Sequence, residues 1–312
     1  MSERIGVLCG GPSGEREISL RSGQAVHEAL LSIGLPSVLV ALSKDEQQIP
    51  DELKAASIDR AFIVLHGAFG EDGAIQAILE QMGIPYTGSS VEACRYAMDK
   101  VHSRRRWLAE GLPVPRWELA DAAEAPALAE RLGFPLMVKP KSGGSSLGMS
   151  IADSAEQLPA AVEEAVRYGK EILLEEYLSG PELTVGILDD MPLPVIQVVP
   201  KRRFYDFVAK YTPGMTEYWV PAPLPETVRV AAQDLGLRAH EALGCRSFSR
   251  VDMILTKERG PVLLELNAIP GMTASSLLPK AAAAVGISFP ELCRRMLNST
   301  CLKKEPVAAR SS

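Results

Sequence analysis

A mixed α/β (α+β) fold with more than one domain is what this sequence predicts, and three observations carry the expectation. Over roughly the first hundred residues, short apolar runs alternate with stretches of helical periodicity, as in a parallel sheet with crossover helices. Further along, two pairs of β-type runs, at 134–151 and 250–267, are separated by polar or Gly/Ser-rich loops and read as antiparallel hairpins. The length of 312 residues also exceeds the usual size of one hydrophobic core, which points to two or three domains.

In order, Ile5–Cys9 reads as a strand that stops at Gly10-Gly-Pro-Ser-Gly-Glu15, and Ile18, Ala25, Val26, Ala29, Leu30 and Ile33 then recur at helical spacing. Further strands fit Ser37–Ala41 and Ala61–Leu65, with a helix over Ala74–Met82 between two glycines. Ligands of a parallel sheet gather at the carboxyl ends of its strands, and Glu15 and His66 lie just past such ends. The glycine loop lacks the full dinucleotide spacing, and no acidic residue ends the second strand. Ser90 predicts the N-cap of one helix running to Gly111, with Lys100 on it as a solvated lysine. Leu112–Arg116 reads as extended linker, so a domain boundary is expected near Asp99.

Phe134–Lys139 and Met149–Ile151 are expected strands flanking Pro140-Lys-Ser-Gly-Gly-Ser-Ser-Leu-Gly148. Such a loop can turn backbone N–H groups and hydroxyls toward a phosphate, and it can equally be a plain surface turn. It is not a Walker loop, because the segment after it reads as strand. After a helix over about 155–168 come strands at Ile172–Leu178 and Leu183–Ile187. If the loop holds phosphates, this run passes beside a nucleotide, with Glu175 and Glu182 as candidates for its adenine amino group and ribose hydroxyls. Residues 200–223 show little periodicity but carry six aromatics with Lys201, Arg202, Arg203 and Lys210. Long irregular segments in compact domains are usually lids or binding loops; single-stranded nucleic acid is the other reading of basic residues among aromatics. A helix over 225–243, the second hairpin, a loop from Ala268 to Leu277 and a last helix near 290–297 complete the chain.

The second hairpin is the most informative stretch. Side chains alternate faces along a strand, so Arg250 and Asp252 share a face of one strand, and Glu265 and Asn267 a face of the other. With the turn centred between Glu258 and Arg259, Asp252 falls opposite Glu265 and Arg250 opposite Asn267. Two carboxylates and an amide oxygen are hard ligands of the kind magnesium prefers, and magnesium completes its shell with water and substrate phosphates. The alternative is a solvated outer sheet face.

Composition narrows the classes. At 46% hydrophobic and 23% charged residues, the chain has the makeup of an ordinary globular protein. A net charge of -6 disfavours nucleic acid as the main partner. No run reaches the roughly 18–20 apolar residues of a membrane span. The chain starts directly into a strand, so no signal peptide is expected. Five scattered cysteines without Cys-x-x-Cys fit a reducing cytosol, and four scattered histidines do not form a zinc pattern.

Taken in order, Gly10-Gly-Pro-Ser-Gly-Glu-Arg-Glu-Ile-Ser19, His66-Gly, Gly70-Glu-Asp-Gly, Met98-Asp-Lys100, Val138-Lys-Pro, Gly144-Ser-Ser-Leu-Gly-Met-Ser150, Leu178-Ser-Gly-Pro-Glu182, Tyr205-Asp, Ala209-Lys-Tyr211, Arg250-Val-Asp252, Glu265-Leu-Asn267 and Pro270-Gly-Met-Thr273 resemble the D-alanine–D-alanine ligases of the ATP-grasp superfamily. The resemblance covers nearly the whole chain. It implies three α/β domains, with ATP held between two antiparallel sheets. The domains would be 1–99, 100–182 and 183–312, with a lid at 200–223.

The implied reaction joins two D-alanines through a D-alanyl phosphate, for peptidoglycan synthesis. Asp252, Glu265 and Asn267 would hold two magnesium or manganese ions. Lys100, Lys139, Ser145, Ser146, Glu175, Leu178, Glu182, Phe204 and Lys210 would bind ATP. Glu15 would fix the first ammonium with His66 nearby, and Ser276 and Leu277 would line the second site. Lys210, Arg250 and Gly271 complete the substrate contacts. Arg250 and the Gly271 N–H would stabilise the oxyanion, and Glu15, Ser145 and Tyr211 would form a hydrogen-bonded group. A homodimer in the cytoplasm is also implied. The Lys210-Tyr211 pair is typical of members whose second nucleophile is an amine. Gly143 and Ala268 depart from the family's usual Glu and Thr, with an expected effect on rate or loop mobility. A ligase for another dipeptide or a depsipeptide, and a non-catalytic nucleotide-binding protein, are the alternatives.

Overall fold

In the computed structural model, residues 3–144 and 146–301 are described. Ser145 and 302–312 lie outside them. The elements run β1 (Ile5–Gly10), α1 (Arg16–Ser32), β2 (Ser37–Leu42), α2 (Ile49–Ala56), β3 (Arg60–Ile63), α3 (Ala74–Met82), β4 (Tyr86–Thr87), α4 (Val91–Met98) and α5 (Lys100–Ala109). The middle of the chain adds β5 (Trp117–Ala120), α6 (Ala125–Leu132), β6 (Leu136–Pro140), β7 (Ser150–Ala152), α7 (Leu158–Val166) and β8 (Ile172–Glu176). Then follow β9 (Glu182–Leu188), β10 (Met191–Pro192), β11 (Ile196–Pro200), α8 (Phe207–Tyr211), β12 (Thr216–Trp219) and α9 (Glu226–Ala242). The last are β13 (Phe248–Thr256), β14 (Gly260–Asn267), α10 (Leu277–Ala283), α11 (Phe289–Asn298) and β15 (Thr300–Cys301).

Among the described residues three sheets form. The first has the order β15-β4-β3-β1-β2, and β1 to β4 pair in parallel. Its inner strand β1, between β3 and β2, is buried at every position, so it reads as an unbroken apolar run. The C-terminal β15 adds to this sheet antiparallel, and α11 packs on α1, so the end of the chain returns to its beginning. The other two sheets, β5-β8-β6-β7 and β12-β11-β9-β13-β14 with β10 beside β9, are antiparallel, as the hairpin signals imply.

Two local expectations are corrected. The single helix from Ser90 to Gly111 is broken at Asp99, whose extended backbone ends α4 while its carboxylate accepts from the N–H groups of Val101 and His102 at 2.9 and 3.0 Å. Asp99 caps a second helix, and its bridge to Ser142 pulls that helix against the Gly/Ser loop. Residues 200–223 are less irregular than their periodicity suggests. Asp206 caps the short α8 by accepting from the Ala209 N–H at 2.8 Å, and β12 returns along β11.

Cys9, Cys245 and Cys293 carry free, buried thiols, and Cys94 is also buried. Burial pushes the Cys9 thiol up to about 11 and those of Cys245 and Cys293 up to about 12. A raised pKa leaves less thiolate at pH 8, and the thiolate is the reactive form. In a Cys301→Ser variant, titration with an aromatic disulfide at pH 8 should therefore give almost no signal until denaturant is added. Rapid modification of the folded protein would contradict the packing.

Candidate active site

The hairpin register matches the sequence expectation where it matters. Arg250 lies opposite Asn267 and Asp252 opposite Glu265. The turn, however, is centred one half-step earlier, with Thr256 opposite Gly260, and Met253 faces Leu263. A bulge at Leu264, unpaired between Leu263 and Glu265, restores the alignment. Arg250 donates from Nε and Nη2 to both Asp252 oxygens, each at 2.9 Å, and Thr184 Oγ donates to the same carboxylate at 2.5 Å. Asn267 Oδ1 accepts from the Ile269 N–H at 2.9 Å, which fixes the amide's orientation.

Burial works to raise the Glu265 carboxyl, but Lys210, Lys100, Lys139 and Arg250 overcome it and hold it well below the usual carboxylate range. The group is therefore an anion ready for a cation. Among the described residues no three His, Cys, Asp or Glu side chains gather as a metal cluster. Two carboxylates and an amide instead suit an ion that takes its remaining ligands from water and phosphate.

A cavity of about 300 Å³ between the two antiparallel sheets is bordered by Lys139, Ser146, Glu175, Leu178, Glu182 and Phe204. It also reaches Asp252, Glu265 and Lys210. Lys100 is not solvated, contrary to its sequence reading. The cap at Asp99 turns it inward at 6% exposure, and its Nζ donates to the Gly143 carbonyl oxygen at 2.6 Å. Burial pushes this ammonium down to about 8, against Glu265. Lys139 is likewise lowered by burial, against Glu175.

Glu175, the candidate for the adenine amino group, borders this cavity with its carboxylate ion-paired to Lys139 and Arg104 at 1% exposure. Glu182 stays at the cavity, and burial, with Asp252 adding to it, pushes its carboxyl up to about 8. Ser146 takes a left-handed backbone (φ 58°) and donates from Oγ to the Tyr205 carbonyl oxygen at 3.1 Å. The Gly/Ser loop is thereby tied to the 200–223 segment even though Gly143 supplies no carboxylate.

A second cavity, of about 590 Å³, is bordered by Glu15, His66, Tyr211, Arg250, Gly271 and Ser276, with Asn267 and Leu277 beside them. Glu265 and Lys210 border both cavities, so the two meet where charge is densest. Glu15 stands at the N-terminus of α1 and accepts from the Tyr211 hydroxyl at 3.4 Å across the lid. Gly67 is left-handed (φ 73°), and a side-chain carbon there would fall 2.6 Å from Glu15 Oε2, so only glycine leaves that carboxylate room. His66 is 5% exposed and engaged at both ring nitrogens, with Ser22 at 3.2 Å and Glu71 at 3.4 Å, so it braces the pocket wall. Ser276 begins α10, and its Oγ accepts from the Thr273 N–H at 3.0 Å. A side-chain carbon on Gly271 would lie 2.9 Å from that hydroxyl. Ser145, a candidate for this group, lies outside the described residues.

Thr184, Tyr205, Tyr218 and Arg104 are not among the sequence candidates. Thr184 is the polar residue of β9 that falls opposite Asp252, a signal legible only once β9 is known to neighbour β13. Tyr205 and Tyr218 share a hydrogen bond at 2.8 Å between their hydroxyls at the base of the lid.

Comparison with known proteins agrees with this geometry. The profile described as D-ala D-ala ligase C-terminus matches residues 107–298, and that described as D-ala D-ala ligase N-terminus matches 40–89. D-alanine--D-alanine ligase from Geotalea uraniireducens is 46% identical over 303 residues, covering 97% of each chain. The one from Syntrophotalea carbinolica is 46% identical over 302 residues, again covering 97% of each. The crystal structure of D-alanine--D-alanine ligase from Bacillus anthracis superposes with a TM-score of 0.85 at 36% identity, over 96% of this chain and 97% of that one. The chain belongs to the D-alanine–D-alanine ligase family.

Proposed function

We propose that the protein joins two D-alanines with ATP to give D-alanyl-D-alanine, ADP and phosphate, the dipeptide serving peptidoglycan precursor synthesis. The carrying observation is the meeting of the two cavities at Glu265 and Lys210: one, between the antiparallel sheets, brings Lys139, Ser146, Glu182 and Phe204 to a nucleotide, and the other offers Glu15, Arg250 and Ser276 to small zwitterions. A Bacillus anthracis relative complexed with ATP, with a TM-score of 0.84, supports the nucleotide in the reading.

In this reading Glu15 accepts hydrogen bonds from the ammonium of the first D-alanine, and the carboxylate oxygen of that D-alanine attacks the γ-phosphorus as ADP leaves. Lys100, Lys139 and Lys210 neutralise the phosphate oxygens, and the loop holding Ser146, with Ser145, covers them. Leu178 and Phe204 flank the base, and Glu182 receives the ribose hydroxyls. Asp252, Glu265 and Asn267 would hold two magnesium or manganese ions, which supply further neutralisation of the transferring group.

The amine of the second D-alanine, positioned by Ser276, Leu277 and Lys210, then attacks the acyl carbon of the D-alanyl phosphate. Arg250 and the Gly271 N–H stabilise the oxyanion, and as the tetrahedral adduct collapses phosphate departs and takes up the proton that the nitrogen loses. Tyr211, linked to Glu15, fixes the lid over this step. The reading extends to a cytoplasmic homodimer. The free, buried thiols of Cys9, Cys245 and Cys293 are compatible with a reducing compartment, and no helix among the described residues is long and apolar enough to cross a membrane.

The test is ADP release by the purified protein with D-alanine, D-serine, D-lactate or L-alanine as substrate, with products identified by mass spectrometry. D-Alanine is expected to give D-alanyl-D-alanine stoichiometric with ADP. ADP release that ignores D-alanine, or a mixed ester or mixed dipeptide as the main product, would overturn the assignment.

A further inference from the structure

Arg104 is a fully buried guanidinium that no step above uses. It lies on α5, one turn after Lys100. Its Nη1 donates to the Lys100 carbonyl oxygen at 3.2 Å, and its Nη2 donates to the Leu264 carbonyl oxygen at 3.0 Å. The same end of the guanidinium is ion-paired with one oxygen of Glu175, whose other oxygen is ion-paired with Lys139. Arg104, Glu175 and Lys139 are 0%, 1% and 4% exposed, so water screens none of these contacts.

The two contacts made by Nη2 reach different parts of the site. Leu264 is the one residue of the hairpin ladder with no partner on β13, and its insertion is what sets Glu265 opposite Asp252. A bulged residue inside a protein still needs a donor for its carbonyl oxygen, and Arg104 is that donor. The other contact concerns charge. With Lys139 as its only cation, Glu175 would hold that ammonium against itself. A second, permanently charged partner shares the carboxylate and leaves Lys139 with positive charge to offer the 300 Å³ cavity it borders.

We propose that Arg104 is a positioning residue for phosphoryl transfer. From behind the site it pins the Leu264 bulge that aligns the metal-facing carboxylates, and it shares Glu175 so that Lys139 can serve the nucleotide phosphates. The proposal rests on the ligase reading, but part of its test does not. Binding of Mg·ADP by calorimetry needs no D-alanine, so a wild-type protein without ligase activity would sink that reading and leave this proposal still decidable.

The full-length variants Arg104→Met and Arg104→Lys would be compared with the wild type, varying ATP, magnesium and D-alanine separately. Residues that orient ligating groups typically change affinity or activity about 10- to 100-fold when replaced. For Arg104→Met the expectation is a rise of about tenfold or more in KM for ATP, in the magnesium half-saturation and in the Kd of Mg·ADP, with KM for D-alanine within about twofold. Arg104→Lys restores a charge on Glu175, but its ammonium lacks the planar fork that places Nη2 between the two groups, so the Leu264 carbonyl is left without its donor. It should return KM for ATP to within about threefold of wild type while the magnesium half-saturation stays raised. Wild-type ATP and magnesium constants in Arg104→Met, or an equal rise in all three constants including that for D-alanine, would overturn the proposal. If Arg104→Met does not fold, Arg104→Lys decides: a wild-type magnesium dependence there overturns it.

Discussion

Asp252→Asn and Glu265→Gln are each expected to lower magnesium-dependent dipeptide formation by about 10³-fold while leaving the protein folded. Metal-assisted charge neutralisation contributes several kcal/mol to a phosphoryl-transfer barrier, and each 1.36 kcal/mol is about tenfold in rate. The amides keep the shape of the carboxylates. In Asp252→Asn the remaining side-chain oxygen would still accept one bond from Arg250 or Thr184, which now meet both Asp252 oxygens, so the sheet around it has no reason to unravel. Coupled ADP-release assays across a magnesium series, with circular dichroism to check the fold, measure the effect. Wild-type rates and an unshifted magnesium dependence in either variant would remove these residues from the metal face.

Arg250→Met should lose about 10²- to 10³-fold in kcat, the usual size of one oxyanion donor, with KM for ATP moved far less. Its guanidinium stays charged: burial disfavours that form, but the Asp252 carboxylate outweighs burial and drives the pKa up. The same pair gives the test its direction. Removing Arg250 frees Asp252 from its two 2.9 Å hydrogen bonds, so the magnesium half-saturation should stay level or fall while turnover collapses. A variant with kcat within about twofold of wild type, or one whose whole defect is weaker metal binding, would move Arg250 out of the oxyanion role.

Much of this site is legible in the chain because its residues come in short local patterns. The alternation of Arg250, Asp252, Glu265 and Asn267 within a hairpin specifies one polar face, since the strand period of two admits no other arrangement. The Gly/Ser loop, the strands on either side of it and the parallel first sheet are equally local. The α2, α6 and α10 helices and the short β5 and β15 strands leave little trace in the sequence pattern. They are brief or carry proline in their first turn, and packing rather than propensity holds them. The break at Asp99 is hidden for a related reason: continuous helical periodicity masks a cap whose partner, Ser142, lies far along the chain.

By itself, then, the sequence determined the class of fold and the oxygen-donor face, because each follows from spacing along a strand or loop, while the type of chemistry was implied by the resemblance of its motifs to a known family. Only the tertiary structure decided that Lys100 is buried against Gly143, that Glu175 faces two cations, and that a bulge held by Arg104 corrects the hairpin register. Those outcomes depend on which distant segments share a low-dielectric interior. There an ion pair or an unmatched carbonyl must find its partner across space, whatever its neighbours in sequence.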